Sequence, residues 1–216
     1  MEYSKVIQSR RSIRKFKQKK VDIETIKEIV NDAREAPSWR NSQTSRYYIC
    51  YSLSFIQKIR EALGEVNRHK INDETVLIVC SFVANKAGFN KEGKADNEAG
   101  NGWGYYDNGL STMILQLSAK DRGLDTLVMG IRDENKIRKV LSVNDDEIIT
   151  SVIAVGYRDI NPSQPLRKEL NNSEELKEVF KVNNQKIIAF EKLFEMYNNF
   201  GLRHNNAKQY HLDMTN

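Results

Sequence analysis

The chain has 216 residues, of which 39% are hydrophobic and 29% are charged, and its formal net charge is +5. This length favours one domain or two small ones with a substantial core, and no apolar run approaches the roughly 18 residues of a membrane-spanning helix. The first residues lack a basic segment followed by an apolar one, so no secretory signal is visible. We therefore expect a cytoplasmic protein that does not enter membranes.

A basic segment follows a short helix-like stretch at the N-terminus. Between Arg10 and Lys20 there are seven Lys or Arg and no acid, while the rest of the chain is nearly balanced. Such a segment can bind nucleic acid, hold a small phosphate-bearing cofactor or simply be solvated. Because Phe16 is the only aromatic residue in it, a local anion site is favoured over a long nucleic-acid footprint.

Helical spacing of apolar residues predicts helices at about 23–36, 54–63, 106–122 and 134–141. Asp22 and Asp133 are positioned to cap the first and the last of these. Ser54 with Gln57 forms a capping-box pattern at the second helix, and Gly123 ends the third. The third helix is expected to turn inward a set of mostly apolar residues: Leu110, Met113, Ile114, Leu117 and Ser118.

Strands are predicted at about 47–51, 75–83, 126–130 and 148–157. The second is continuously apolar and β-branched, which is typical of a strand buried on both faces. Residues 85–104 are rich in Gly, Asn and Lys and are expected to form a loop that covers a site. Because helices and strands intermix without a clean βαβ count, the sequence favours an α+β sheet sandwiched by helices.

The two cysteines, Cys50 and Cys80, both lie in predicted strands. We expect them to be buried and reduced. Two cysteines and three scattered histidines offer no ligand spacing, so no metal site is predicted.

The C-terminal part of the chain has a different pattern. From Phe180 to Tyr197, mostly apolar and aromatic residues recur at alternating spacings of three and four. This pattern predicts a helix from Ser173 to about Asn199 that packs either on its own domain or across a dimer. We therefore divide the chain into a domain at 1–170 and a C-terminal helical extension at 171–216.

Sequence motifs for hydrolysis and for nucleotide folds are missing. There is no G-x-S-x-G or H-E-x-x-H pattern around the histidines, and neither a P-loop nor a G-x-G-x-x-G fingerprint follows a predicted strand. A nicotinamide coenzyme would therefore act as a transient substrate rather than as a resident of a Rossmann pocket.

Four segments, in order along residues 3–170, resemble the FMN-dependent nitroreductase family. The first is Ser9-Arg10-Arg11-Ser12-x-Arg14-x-Phe16, and the second is Ala36-Pro37-Ser38 followed by Asn41-Ser42-Gln43. The third is Asn67-x-x-Lys70, just before the buried strand, and the fourth is Leu127-Val128-Met129-Gly130-Ile131. Each motif alone is weak, but the four in this order are specific.

The resemblance implies an intertwined α+β homodimer with a mostly antiparallel sheet and an FMN site at each subunit interface. It places Arg10 and Ser12 at the phosphate, and Arg14 and Lys70 where reduction deposits negative charge on the ring. The full set of expected flavin-binding residues is Arg10, Arg11, Ser12, Arg14, Pro37, Ser38, Asn41, Gln43, Asn67, Lys70, Val128, Met129, Gly130, Ile131, Arg167 and Lys168. Of these, Pro37, Ser38, Asn41 and Gln43 would come from across the dimer interface.

The activity that the resemblance implies is ping-pong oxidoreduction. NADH or NADPH would deliver a hydride to flavin N5, and a nitroaromatic, quinone or similar small acceptor would then take it up. No side chain is expected to act as a catalytic acid or base. The open alternatives are a flavin-dependent dehalogenase or other specialised member of the family, a flavin sensor without turnover, and a basic nucleic-acid-binding module.

The chain departs from the family pattern in the second segment. Thr44-Ser45-Arg46 stands where the family commonly has proline and an aromatic residue after Gln43, and Trp39 and Arg40 are unusually bulky for a loop close to the flavin. These departures concern the substrate pocket more than flavin binding.

Overall fold

The computed structural model of the protein describes residues 2–159, together with Val179–Val182 and Gln185–Ile188. The chain divides into two compact units, Met1–Pro162 and Ser163–Asn216. The helices are α1 Tyr3–Ser9, α2 Ile23–Ala33, α3 Leu53–Glu61, α4 Glu65–Arg68, α5 Gly102–Asp121 and α6 Glu134–Leu141, and a 3-10 turn spans Trp39–Asn41. The strands are β1 Ser45–Cys50, β2 Val76–Val83, β3 Asp125–Met129, β4 Glu147–Gly156, β5 Val179–Val182 and β6 Gln185–Ile188.

The first unit is built on a four-stranded sheet with the order β1-β2-β4-β3, in which every neighbouring pair is antiparallel. Its central strand β2 is buried along Val76–Phe82, as the continuous apolar run predicts. One face of the sheet packs against α2 and α5, where Ile26, Ile29 and Leu115 are buried. The other face packs against α3 and α6, so the predicted α+β sandwich is confirmed.

Two helix starts follow the predicted capping chemistry. The Asp22 carboxylate accepts the Thr25 amide at 3.1 Å, and the Asp133 carboxylate accepts the Lys136 amide at 2.9 Å. The predicted capping box at Ser54 is wrong, because α3 begins at Leu53 and the residue at its N-cap is Ser52. The Ile56 amide donates to the Ser52 carbonyl, which closes the first turn before Ser54 could cap it.

The long helix α5 corrects a second prediction. It begins at Gly102 rather than near 106, and of the residues expected to face inward only Ser118 is buried. Small and polar residues occupy the inner face instead, because backbone carbonyls of α2 and β2 accept hydrogen bonds from them. Ser111 Oγ donates to the Ala33 carbonyl at 2.5 Å, and the Asn108 amide donates to the Ser81 carbonyl at 3.1 Å. The apolar stripe of Leu110, Met113, Ile114 and Leu117 is therefore half-buried or exposed.

In the second unit, β5 and β6 pair antiparallel, with Val179 opposite Ile188 and Val182 opposite Gln185. The predicted helix at 173–199 is therefore wrong for these two segments. Their β-branched residues (Val179, Val182, Ile187 and Ile188) favour strand, a local preference that the heptad-like spacing concealed. The rest of the predicted helix lies outside the described residues, and so do Arg167 and Lys168.

Within the part of the chain that the structure describes, no helix combines the length and the apolar character that crossing a membrane requires. The cytoplasmic location stays a prediction. Cys50 and Cys80 are free and buried, as predicted.

Candidate functional site

The basic segment at 10–14 is held against the start of β3. Ile13 is fully buried, and its amide donates to the Thr126 carbonyl at 3.0 Å. Ser12 forms a parallel bridge with Thr126, so the segment adds a short extended stretch beside the sheet. Because side chains alternate along extended backbone, burying Ile13 turns Ser12 and Arg14 away from the core.

The three arginines of this segment differ in their contacts. The Arg11 guanidinium donates to the Gln8 carbonyl at 2.6 Å and to the Arg10 carbonyl at 2.8 Å, so it covers the carbonyl end of α1. Arg14 is exposed, with its guanidinium 3.4 Å from the Ser12 carbonyl. Arg10 is half-buried. The sequence pattern did not indicate that Arg11 would bind the end of the helix that precedes it.

The end of β3 and the loop after it offer an open apolar surface. Val128 is 44% exposed and Ile131 is 76% exposed, whereas Met129 between them points into the core. A Cβ added at Gly130 would meet no atom within 4 Å, so space is open beside this backbone. A planar ring could approach the backbone there as closely as glycine permits.

Asn67 and Lys70 lie next to this loop. The Lys70 ammonium donates to the Asn67 side-chain carbonyl at 2.8 Å. The Asn67 amide donates to the Gly64 carbonyl, and the Gly64 amide donates in turn to the Ile131 carbonyl at 3.0 Å. Gly64 packs so tightly on Ile131 that an added Cβ would lie 2.8 Å from its Cγ2. The Asn67–Lys70 pair is thus fixed to the loop that carries Gly130.

The segment from Pro37 to Gln43 lies elsewhere in the same chain. The Trp39 amide donates to the Asp107 carboxylate in the first half of α5, whereas Thr126, beside Ser12, contacts Gln116 farther along that helix. The segment leads into β1, which is the edge strand opposite β3, and the three strand spacings between these two edges amount to about 14 Å. One chain therefore brings the first, third and fourth predicted segments together and leaves the second, at Pro37–Gln43, apart.

The second segment, at Pro37–Gln43, has an unusual backbone. Arg40, Asn41 and Gln43 have φ values of 45°, 56° and 49°, in the left-handed region that non-glycine residues rarely adopt. Two bonds within the loop support this shape: the Gln43 amide donates to Ser38 Oγ at 3.0 Å, and the Gln43 side chain donates to that of Asn41 at 3.0 Å. Backbone strain of this kind persists where the surroundings enforce it.

Contacts with the 85–104 loop and with α5 hold the Pro37–Gln43 segment in this backbone conformation. The Trp39 and Trp103 rings have centroids 4.3 Å apart, and Trp103 meets Tyr106 edge-on at 5.7 Å. The Arg40 guanidinium pairs with Asp96 at 3.0 Å. The loop expected to cover a site is thus joined to Trp39 and Arg40. Sequence reasoning missed Asp107, which is buried and whose pKa is raised by that burial.

The residues around Gly130 fit FMN. Arginine, lysine and hydroxyl donors suit a phosphate dianion and the polar edge of a flavin ring. The exposed Val128 and Ile131 and the open space at Gly130 suit its planar apolar part. Asp125, the acid at the start of β3, is paired with Arg158 at 2.5 Å and with Lys120 at 3.2 Å. Because these two residues balance its negative charge, Asp125 does not neutralise the positive charge of the neighbouring basic segment.

Comparison with known proteins finds relatives in sequence and in fold. A protein from Archaeoglobus fulgidus, provisionally named an NADH dehydrogenase/NAD(P)H nitroreductase, is 24% identical over 157 residues, which cover 71% of this chain and 83% of that protein. A nitroreductase family protein from Streptococcus pneumoniae superimposes with a TM-score of 0.67 and 18% identity, covering 79% of this chain and 97% of the other. A Staphylococcus epidermidis protein, provisionally named an NAD(P)H:FMN oxidoreductase, gives a TM-score of 0.67 and 20% identity, covering 80% and 94%.

The family itself is identified by a match along most of the chain. The family model for the nitroreductase family matches residues 7–157, which begin before the basic segment and end with β4. This range contains all four segments on which the resemblance rests, and the solved structures share the fold. The chain belongs to the nitroreductase family.

Proposed function

We propose that this protein is an FMN-dependent oxidoreductase that uses NADH or NADPH to reduce a nitroaromatic, quinone or similar small acceptor. The observation that carries the proposal is the convergence of three family segments, at 10–14, 67–70 and 128–131, around the open backbone of Gly130. The printed names of the Archaeoglobus and Staphylococcus relatives support the same class of reaction.

Each segment has a separate task in binding the flavin. Arg10 and Ser12, half-buried beside β3, bind the phosphate through charge-assisted bonds. Lys70 and Arg14 supply positive charge at the edge of the ring where electrons accumulate, and Asn67 holds the Lys70 ammonium in place. The Gly130 loop presents backbone N–H groups and the apolar surfaces of Val128 and Ile131 to the ring.

When bound, FMN supplies the hydride chemistry at its N5 atom. The chain's own residues bind the ring, orient it and stabilise charge, and none is required as a catalytic acid or base if the acceptor takes its proton from solvent. Because the coenzyme is oxidised and the acceptor is reduced at one shared surface, the kinetics are ping-pong.

We further propose that a second copy of the chain completes the site. The segment with Pro37, Ser38, Asn41 and Gln43 leads into β1, whereas Gly130 follows β3 at the opposite edge of the sheet, about 14 Å away across three strand spacings. On α5, Met113 is 39% exposed and Leu110, Ile114 and Leu117 are half-buried, which supports the pairing because exposed apolar surface favours association. Trp39 and Arg40 would then border the acceptor pocket of the other subunit.

Absorption spectroscopy on the purified protein tests the proposal. The protein should carry a flavin band at about 450 nm, and NADH or NADPH should bleach it, with a quinone or nitroaromatic restoring it. A colourless protein that does not take up added FMN would overturn the flavin assignment, and salt-dependent DNA binding would then favour the nucleic-acid module. A yellow protein that neither coenzyme bleaches would favour a flavin sensor.

A further inference from the structure

A cavity of about 430 Å³ lies where the basic segment continues past Arg14. Seven of the residues that line it are polar or charged: Lys15, Lys17, Gln18, His69, Lys70, Asn72 and Asp159. It is therefore formed by the residues just after the proposed phosphate-binding group and by those just after Asn67. The nitroreductase assignment gives this cavity no role.

The walls of the cavity are fixed by hydrogen bonds. The Asn72 side-chain amide donates to the Phe16 carbonyl at 2.9 Å, which joins the two segments. The Lys17 amide donates to the Tyr157 carbonyl at 2.8 Å, and the Asp159 amide donates to the Lys15 carbonyl at 3.0 Å. Because Phe16 is also buried, the backbone between the two lysines is held in place and both side chains project from it.

The lining carries an excess of positive charge. The lining contains three lysines and one acid, Asp159, which pairs with Lys15 at 2.9 Å. A concave surface lined by one sign of charge concentrates ligands of the opposite sign. The volume lies within the range of about 300–1,000 Å³ that small-molecule sites occupy, which exceeds the need of a single inorganic phosphate.

The other lysines of the basic segment behave differently. The Lys19 ammonium lies 4.3 Å from the centroid of the Tyr157 ring, and the Lys20 ammonium lies 4.5 Å from that of Tyr51. Neither lines the cavity. The basic segment is therefore divided into two lysines that border a concave site and two that cover aromatic rings.

Lys70 connects this cavity with the proposed flavin site, since it lines the cavity and is held by Asn67. The flavin phosphate is assigned to Arg10 and Ser12, so an anion bound in the cavity would belong to another molecule that reaches the flavin. We propose that the cavity binds a phosphate group of the nicotinamide coenzyme, either its pyrophosphate bridge or the 2′-phosphate of NADPH. This inference rests on the proposed function, which requires such a coenzyme.

The test measures binding without hydride transfer. ADP-ribose and 2′-phospho-ADP-ribose lack the nicotinamide ring, and calorimetry can measure their binding to the FMN-loaded protein. The double variant Lys15→Ala, Lys17→Ala is compared with Lys19→Ala, Lys20→Ala, which removes the same charge outside the cavity. We expect the first variant to weaken binding about fivefold or more and the second to change it less than about twofold.

The two ligands identify the phosphate. Loss of affinity for both would assign the pyrophosphate bridge, and loss for 2′-phospho-ADP-ribose alone would assign the 2′-phosphate; either result supports the site. Equal affinities in the wild type and the cavity variant, or equal losses in both variants, would overturn it. A failure of the proposed function would appear separately, as wild-type flavin that neither NADH nor NADPH bleaches.

Discussion

The Asp107 carboxylate accepts the backbone N–H of Trp39 at 2.8 Å, across 68 positions of sequence. Asp107 is 3% exposed, so a charged group is buried in the first half of α5 to hold a loop whose next two residues have left-handed backbone. Burial raises the pKa of Asp107, while the bond from Trp39 opposes that rise. The loop that we assign to the partner's flavin is therefore tied down by an acid outside the family motifs.

Two substitutions of Asp107 distinguish the effect of its charge on stability from the effect of its hydrogen bond. Asp107→Asn keeps an acceptor for the Trp39 amide and removes the desolvated charge, so we expect the free energy of unfolding at neutral pH to be unchanged or higher. Asp107→Ala leaves a buried N–H without its partner and should cost about 1–3 kcal/mol. Chemical denaturation of both variants measures this difference, and equal losses for Asn and Ala would contradict it.

The pH dependence of stability follows from the direction in which the pKa of Asp107 is shifted. Because the pKa of Asp107 is higher in the folded than in the unfolded chain, the folded state binds the proton more tightly. Its contribution to stability is present below the unfolded pKa and is lost as pH rises through the folded pKa. The wild type should therefore gain stability relative to Asp107→Asn as pH falls through this window, and a gap that stays constant would refute the assignment.

Two glycines of α5 give a matched pair of packing variants. An added Cβ at Gly104 would overlap the ring of Phe82, which is fully buried, whereas one at Gly109 would meet no atom within 4 Å. Gly104→Ala should therefore destabilise the protein by about 1–3 kcal/mol through overpacking. Gly109→Ala should raise stability by about 0.5–1 kcal/mol, because alanine favours the helix. Thermal unfolding of both variants tests the contrast, which would fail if their midpoints moved together.

Local patterns were sufficient where the deciding interaction is itself local. The caps at Asp22 and Asp133 lie three residues from the amides they accept, and the buried strand β2 follows from a continuous apolar run. The orientation of α5 could not be predicted in this way. Its inner face is set by bonds to Ala33 and Ser81, far away in sequence, and these allow small polar residues to be buried in place of the apolar stripe.

The candidate site shows the same division between features that local sequence predicts and features that depend on tertiary packing. The resemblance named the segments, and the structure brings three of them together through bonds such as Gly64 to Ile131. The resemblance could not show that Asp107 and Trp103 hold the Trp39 loop, because both contacts depend on where α5 packs. Nor could spacing alone distinguish Lys17, which lines a cavity, from Lys19, which covers Tyr157.

Lys70 is the residue through which the flavin assignment is most directly tested. Removing its positive charge from the ring edge should weaken FMN retention or lower the flavin reduction potential in Lys70→Ala. A loss of about 1 kcal/mol of charge interaction corresponds to about 20 mV for a two-electron couple. Lys58→Ala, at an exposed position near Phe55 on α3, is the control. Unchanged FMN affinity and potential in Lys70→Ala would reject its assigned role.

The two cysteines should be inert in the folded protein. Cys50 and Cys80 are 1% and 0% exposed, and burial raises the pKa of each thiol from 9.0 to about 12. Since the thiolate is the reactive form, a thiol reagent at neutral pH should label neither residue until denaturant is added, after which both should react. The same shifts stabilise the fold fully below pH 9.0, the ordinary thiol pKa, and the contribution is lost as pH rises toward about 12. Rapid labelling of one thiol in the native protein would contradict this burial, and Cys50→Ala and Cys80→Ala would identify which residue had reacted.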